Sequence, residues 1–142
     1  MRALLDVNVL IALLDADHVH HAAATEWLGR NIEKGWASCP ITQNGCVRIL
    51  SQPKYPNPLP ATQVADRLAE AAATPHHKFW PDSVSLLDSA IIDRSRLLSP
   101  RQVTDAYLLA LAVAHGGRFV TFDRSVPLAA VPGATPIHLL VP

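Results

Sequence analysis

The order of elements in this sequence predicts an α/β fold, a central parallel β-sheet of four to five strands flanked by helices on both faces. Two observations carry that prediction. Short apolar segments alternate with longer segments of helical spacing along the whole chain, the pattern of βαβ units. With 142 residues, 49% of them hydrophobic and 17% charged, the chain can bury one sizeable core. No internal repeat, low-complexity tract or change of composition divides it, so residues 1–142 read as a single domain.

The elements follow in order. "RALLD" is a short apolar strand ending at Asp6, and "NVLIALLDAD" runs on from it with helical spacing. Ala23, Trp27 and Ile32 in "HVHHAAATEWLGRNIEKG" mark a second helix that closes at Gly35. "WASCP" is a buried strand stopped by Pro40, and Thr42 is placed to cap the helix "QNGCVRIL" despite Gly45 inside it. "SQPKYPNPLP" must be a loop, either a mobile arm or a plain connection between helices. "ATQVADRLAEAAAT" is strongly helical, "HHKFWP" is a short strand, and "SVSLLDSAIIDRSRLLS" is ambiguous between helix and loop. Ser99 and Pro100 make a helix start, as cap and first position, for "RQVTDAYLLALAVAHGG". That segment is apolar nearly all round after Asp105, which predicts a central, buried helix. "RFVTFD" is a strand ending at Asp123, and "TPIHLLV" a last strand.

Composition excludes several classes. The longest apolar run, Ala106 to Ala114, falls well short of the roughly 20 residues a bilayer span needs. The opening "MRALLD" meets an Asp early and has no small-residue cleavage site, so it does not read as a secretory signal. Cys39 and Cys46 lie in apolar surroundings and read as buried thiols of a reducing cytosol rather than a disulfide. Twelve basic and twelve acidic residues give zero net charge. A nucleic-acid binder of this composition would therefore need a local arrangement of charge.

Function is expected where the carboxylates converge. In a parallel α/β sheet, ligands collect beyond the carboxyl ends of the strands. Asp6 and Asp123 each follow a strand directly, and Asp105 lies early in the helix before the second of them. Read singly, each is an ordinary cap or turn aspartate. Read together they suit a hard cation such as Mg²⁺ or Mn²⁺, since clustered like charges need neutralising. The histidines of "DHVHH" and His76–His77 invite a zinc reading, but no ligand frame such as C-x-x-C or H-E-x-x-H surrounds them, and surface histidines are the alternative.

Three blocks, "LLDVNVLIAL", "TDAYLLALAVAHGG" and "FVTFDRSV", resemble in order and spacing those of PIN domains, and specifically of VapC-type ribonuclease toxins. "WASCPITQNGCVRILS" and "HHKFWPDSVSLLD" between them resemble the linking segments of one VapC branch, so the match spans essentially the whole chain. The resemblance implies a PIN-like fold with Asp6, Asp105 and Asp123 as catalytic acids and ligands of Mg²⁺ or Mn²⁺. It makes Asn8 the polar neighbour that orients Asp6 or a water, with Thr121 able to serve Asp123 in the same way. Thr104 adjoins Asp105, its hydroxyl equally a helix-end hydrogen bond. In one respect the chain departs. Many PIN domains carry a Glu where "ITQNGCVRIL" offers Gln43, Asn44 and Gly45. Asn44 can coordinate or hold water without adding charge, and Asp82 in "FWPDS" is either a replacement acid or a turn residue.

The implied activity is metal-dependent endonucleolytic cleavage of RNA, as the cytoplasmic toxin of a type II toxin–antitoxin pair that inhibits translation and growth. Arg48, Arg101 and Arg124, with Arg94 and Arg96, would form a local phosphate track, although each alone reads as a solvated side chain. The implied partners are an RNA substrate, a VapB-type antitoxin and a second copy of the chain in a homodimer, with no membrane. Val47 to Leu59 and the Ala-rich helix after it are the surfaces assigned to these protein contacts by position. Competing readings are a PIN nuclease of RNA processing without an antitoxin, a haloacid-dehalogenase-like phosphatase, and a catalytically silent binding module. The phosphatase would want an Asp where Asn8 stands.

Overall fold

Asp6 ends the first strand and begins the first helix. In the structure, a computed structural model that describes residues 1–142, β1 (Ala3–Leu5) runs straight into α1 (Val7–Leu14). The Asp6 carboxylate accepts the Val7 N–H at 2.7 Å and caps the helix. Then come α2 (His21–Asn31) and a single 3-10 turn, Ile32–Lys34, closed by Gly35 at φ +78°. That conformation suits glycine, and the Arg2 guanidinium fills the space a Cβ would need. β2 (Trp36–Ser38), α3 (Pro40–Leu50), α4 (Ala61–Ala72) and β3 (His77–Phe79) complete the first half. After a long excursion, α5 (Gln102–Ala114), β4 (Arg118–Val120) and β5 (Leu139–Leu140) complete the second.

All five strands are parallel, in the order β3-β2-β1-β4-β5. The chain therefore builds outward from β1 to one edge, returns, and builds outward again from β4. The reversal lies between β1 and β4, the place where an open α/β sheet leaves a crevice. The helices cover both faces because alternate strand residues point to opposite sides. Ala3, Leu5, Trp36 and Val120 pack with residues of α1 to α4, whereas Leu4, Ala37 and Phe119 pack with α5. Phe119 is fully buried there, and trimming it to Ala would cost about 3–5 kcal/mol. Cys46 and Cys39 belong to opposite faces and are free thiols, with burial pushing Cys46 up to about 12.

Several expected boundaries move. Cys39 occupies the cap position of α3, Pro40 opens the helix, and Thr42 sits in its first turn. The Thr42 hydroxyl still serves the helix end by accepting the Cys39 N–H at 3.0 Å. Ser99 and Pro100 do not begin α5. They form a turn whose carbonyls accept from Gln102 and Val103, and the Gln102 side chain accepts the Leu98 N–H at 2.9 Å. The last strand shrinks to Leu139–Leu140 because Pro136–His138 forms a 3-10 turn. Residues 84–98 are turns with one 3-10 turn, Arg94–Arg96, which resolves their ambiguity toward loop. The proline-rich 51–60 segment is a connection strapped to α1, with Tyr55 donating to Asp15 at 2.5 Å.

Candidate active site

β1 and β4 pair with Leu5 opposite Val120, and the ladder continues one step as the Asp6 N–H donates to the Val120 carbonyl at 2.9 Å. The residues that follow the two strands are thereby forced together. Thr121, fully buried, donates its hydroxyl to Asp6 Oδ2 at 2.7 Å. The Thr121 hydroxyl oxygen itself accepts from Asn8 Nδ2 at 3.1 Å and from the Asp123 N–H at 3.0 Å. Asn8 returns through its Oδ1, which accepts the Phe122 N–H at 3.2 Å. One hydroxyl thus ties the first strand end, the first turn of α1 and the fourth strand end into a single unit, with all its hydrogen-bonding capacity used.

Asp105 reaches this unit from α5. The helix leads down into β4, so its first turn stands at the same sheet edge. The acids act on one another. Burial raises the Asp6 carboxyl, with Asp123 pushing the same way and the Thr121 and Val7 hydrogen bonds opposing. Asp105 rises to about 7, through burial first, then the charge of Asp6, then its hydrogen bond to and the charge of Asp123. Asp123 is held low by Ser125, helped by Asp105 and Arg101. Neutral water therefore finds Asp105 sharing a proton that the other two acids keep in place. No three His, Cys, Asp or Glu side chains stand at metal-ligating spacing, so the acids form no closed cage.

Ser125 is a functional neighbour that sequence reasoning missed. Its N–H and hydroxyl both donate to Asp123 Oδ1, at 2.8 and 2.6 Å. The signal was present twice: Asp93-Arg94-Ser95 and Asp123-Arg124-Ser125 make the same bonds, the first at 3.1 and 2.6 Å. Both are Asx-type turns. Only the second stands beside Asp6.

The other site candidates lie further out. Arg101 precedes α5 and acts on Asp123, and Arg124 is exposed beside that acid. Arg48 sits in the last turn of α3, about 12 Å along the helix from its start. Arg94 reaches the Leu87 carbonyl and Arg96 pairs with Asp93, both at the loop turn. Asn44 is exposed on α3. Asp82 is exposed too, and its charge falls on Cys39 and Tyr107 rather than on the three acids. Gln43, beside Asn44, donates to Ser38 Oγ at 3.0 Å, and Ser38 in turn shares a hydrogen bond with His77 Nε2 at 2.8 Å. Gly45 has a packing role, because a Cβ there would lie 2.6 Å from Val7 Cγ2. Its absence lets α3 close on α1 one residue from Asp6.

The family model of the PIN domain matches residues 3–132. Ribonuclease VapC44 of Mycobacterium tuberculosis is 66% identical over 98% of both chains. The chain is a PIN-domain protein of the VapC family. Ribonuclease VapC39 of the same organism is 46% identical over 94% of this chain and 96% of its own. Among solved structures, VapBC2 from Rickettsia felis, bound to a DNA fragment from its promoter, aligns with a TM-score of 0.66. It covers 99% of this chain and 98% of its own at 14% identity, a likeness of fold. α3 itself brings no carboxylate to the site. Gln43, Asn44 and Gly45 occupy that stretch instead.

Proposed function

We propose that this VapC-family chain, one PIN domain over residues 1–142, is a divalent-metal-dependent endoribonuclease and the toxin of a type II toxin–antitoxin pair. The observation that carries the reading is the meeting of Asp6, Asp105 and Asp123 at the sheet's reversal point, in a chain 66% identical to a named ribonuclease. The donor chemistry fits a cation. All the donors are oxygens, and Asp105 holds at about 7 a proton that a positive ion would displace. Mg²⁺ binds through one or two carboxylates and keeps its waters, so an open set of acids suits it better than a closed cage.

Asp6, Asp105 and Asp123 would hold Mg²⁺ or Mn²⁺. When bound, such an ion supplies Lewis acidity at the phosphoryl oxygens and lowers the pKa of a water. The chain's own residues do the rest. Thr121, itself held by Asn8, fixes the Asp6 rotamer, Ser125 fixes Asp123, and Asp105 gives up the proton it holds near neutrality when a cation is bound. Arg101 and Arg124 offer positive charge for the phosphates, with Arg48 further along the track.

A VapB-type antitoxin is the expected partner, as VapBC2 is a two-component assembly. An apolar cleft of about 310 Å³ between α1, α2 and α4, lined by Leu10, Leu13, Leu28 and Leu68, supports an apolar partner segment. No helix is long and apolar enough to cross a membrane. A cytoplasmic site of action and a homodimer complete the reading.

The test is expression of the chain and of Asp6→Asn, which keeps a good helix cap. The wild type should arrest growth and cut RNA, whereas the variant should do neither. Equal toxicity of the two would overturn the nuclease reading. Millimolar Mg²⁺ or Mn²⁺ should raise the thermal midpoint of the wild type and leave that of Asp105→Ala unmoved.

A further inference from the structure

The histidine-rich turn before α2 gathers no set of three metal-ligating side chains, and one of its rings lies on a neighbour of the candidate acids. The His20 ring stacks on Phe122 with centroids 4.3 Å apart and planes 12° from parallel. Phe122 lies between Thr121 and Asp123 in the chain, and its N–H is held by Asn8. Its backbone is therefore tied to the same unit that positions Asp6. His20 is exposed as a residue, and Phe122 is the aromatic ring stacked flat upon it. The His18 ring lies at 5.7 Å, tilted by 40°, so it does not stack flat on His20. The His20 N–H donates to His18 Nδ1 at 3.0 Å, and His21 bonds the Ala12 carbonyl at 2.7 Å, so the turn is fixed on both sides. Val19, at the tip, is 86% exposed.

We propose that the Phe122–His20 column is a base-stacking step, on which an unpaired RNA base next to the cleaved phosphate lies against the face of His20 turned away from Phe122. The inference rests on the ribonuclease reading above and adds a substrate contact to it. Three features favour a nucleobase as the occupant. A flat aromatic face is what single-stranded bases stack upon. Phe122 adjoins Asp123 in sequence, with consecutive Cα atoms about 3.8 Å apart, so the column is carried by the segment that bears one of the acids. Arg124, exposed one residue further on, offers charge for the phosphate of the same nucleotide. The stack grips substrate and transition state alike, so its loss should appear in KM and not in kcat.

The experiment uses the full chain. Cleavage ends are mapped in total RNA from the arrested host, and a short oligoribonucleotide spanning the strongest cut is synthesised intact and with an abasic nucleotide at each position beside the cut. His20→Ala should raise KM about 5- to 50-fold at unchanged kcat and thermal midpoint. His20→Phe, which keeps the stack, should stay within about twofold of wild type. One abasic position should weaken cleavage by wild type and His20→Phe but add nothing further to His20→Ala, because the base and the ring are the two halves of one contact. If every abasic penalty persists in full in His20→Ala, or if that variant cleaves with the wild-type KM, the stack serves only to pack the turn and the inference is overturned. If the wild type itself shows no cleavage that Asp6→Asn abolishes, the ribonuclease reading fails first and takes the inference with it.

Discussion

Thr121 donates its hydroxyl to Asp6 across 2.7 Å, joining two residues that are 115 positions apart in sequence. The bond is part of a set of three that leaves the hydroxyl no spare capacity. Thr121→Ser keeps the oxygen and should retain most activity. Thr121→Val keeps the shape and leaves Asp6, Asn8 and the Asp123 N–H each short of a partner in a buried place. It should lower stability by about 1–3 kcal/mol and cleavage by about 10- to 100-fold. Urea melts and single-turnover cleavage of the two variants check this, and equal rates would show that the hydroxyl positions nothing.

A pH dependence follows from Asp105. Its carboxyl is pushed up to about 7 in the folded chain, well above the ordinary aspartate value of about 3.9. Between those values the folded state holds a proton that the unfolded state has released, so stability falls as pH rises through this window in the absence of metal. Asp105→Asn should flatten that slope and, at pH 8 without metal, should raise stability by about 1–2 kcal/mol after allowance for the group's partial exposure. Because the ionised carboxylate is the ligand, affinity for Mg²⁺ or Mn²⁺ in the wild type should rise with pH toward neutrality. Thermal melts across pH 5–8, with and without Mg²⁺, measure both effects, and a metal-free stability that climbs over this range would contradict them.

Gly45 sets the approach of α3 to α1. In Gly45→Ala the new methyl meets Val7 Cγ2 at 2.6 Å, and relieving the clash should cost about 1–3 kcal/mol. Val7 follows Asp6 directly and its N–H is the one Asp6 caps, so cleavage should fall as well. Trimming the partner in Gly45→Ala with Val7→Ala should recover stability relative to Gly45→Ala alone. Purely additive losses in the double variant would show that the two residues do not press on each other.

Ser125 keeps Asp123 ionised and in place. Ser125→Ala removes the hydroxyl and leaves the backbone N–H, so the Asp123 pKa should rise and cleavage should drop about 3- to 10-fold. The low Asp123 pKa stabilises the fold above the unfolded value, and that contribution is lost as pH falls through the folded one. Ser125→Ala should therefore narrow the stability gap between wild type and variant as pH falls below about 4. Acid denaturation curves of the two proteins, compared with those of Ser95→Ala at the twin turn, separate the site's effect from that of an ordinary turn.

The sequence made the strand ends legible because apolar runs stopped by Asp are short-range signals, and Asp6 and Asp123 announce themselves. Asp105 was legible mainly through resemblance, since nothing local shows that α5 returns its first turn to the same edge. Thr121 stood beside a visible acid, but the residue it serves most closely proved to be Asp6, a pairing that register alone decides. Asp82 illustrates the converse. A turn aspartate looks the same on the page whether it faces the site or, as here, lies nearer Cys39 and Tyr107. The boundaries of α3 and α5 moved because prolines and polar side chains near a helix end can exchange roles at small energetic difference.

The strand order has a consequence in time. β1 leaves the ribosome among the first residues and β4 among the last, so Asp6 waits for Thr121 through 115 further residues. At bacterial rates of synthesis that is about 6 to 23 s. No nascent or prematurely released chain ending before Thr121 can assemble the unit. The topology thus reserves the assembled site for the finished molecule.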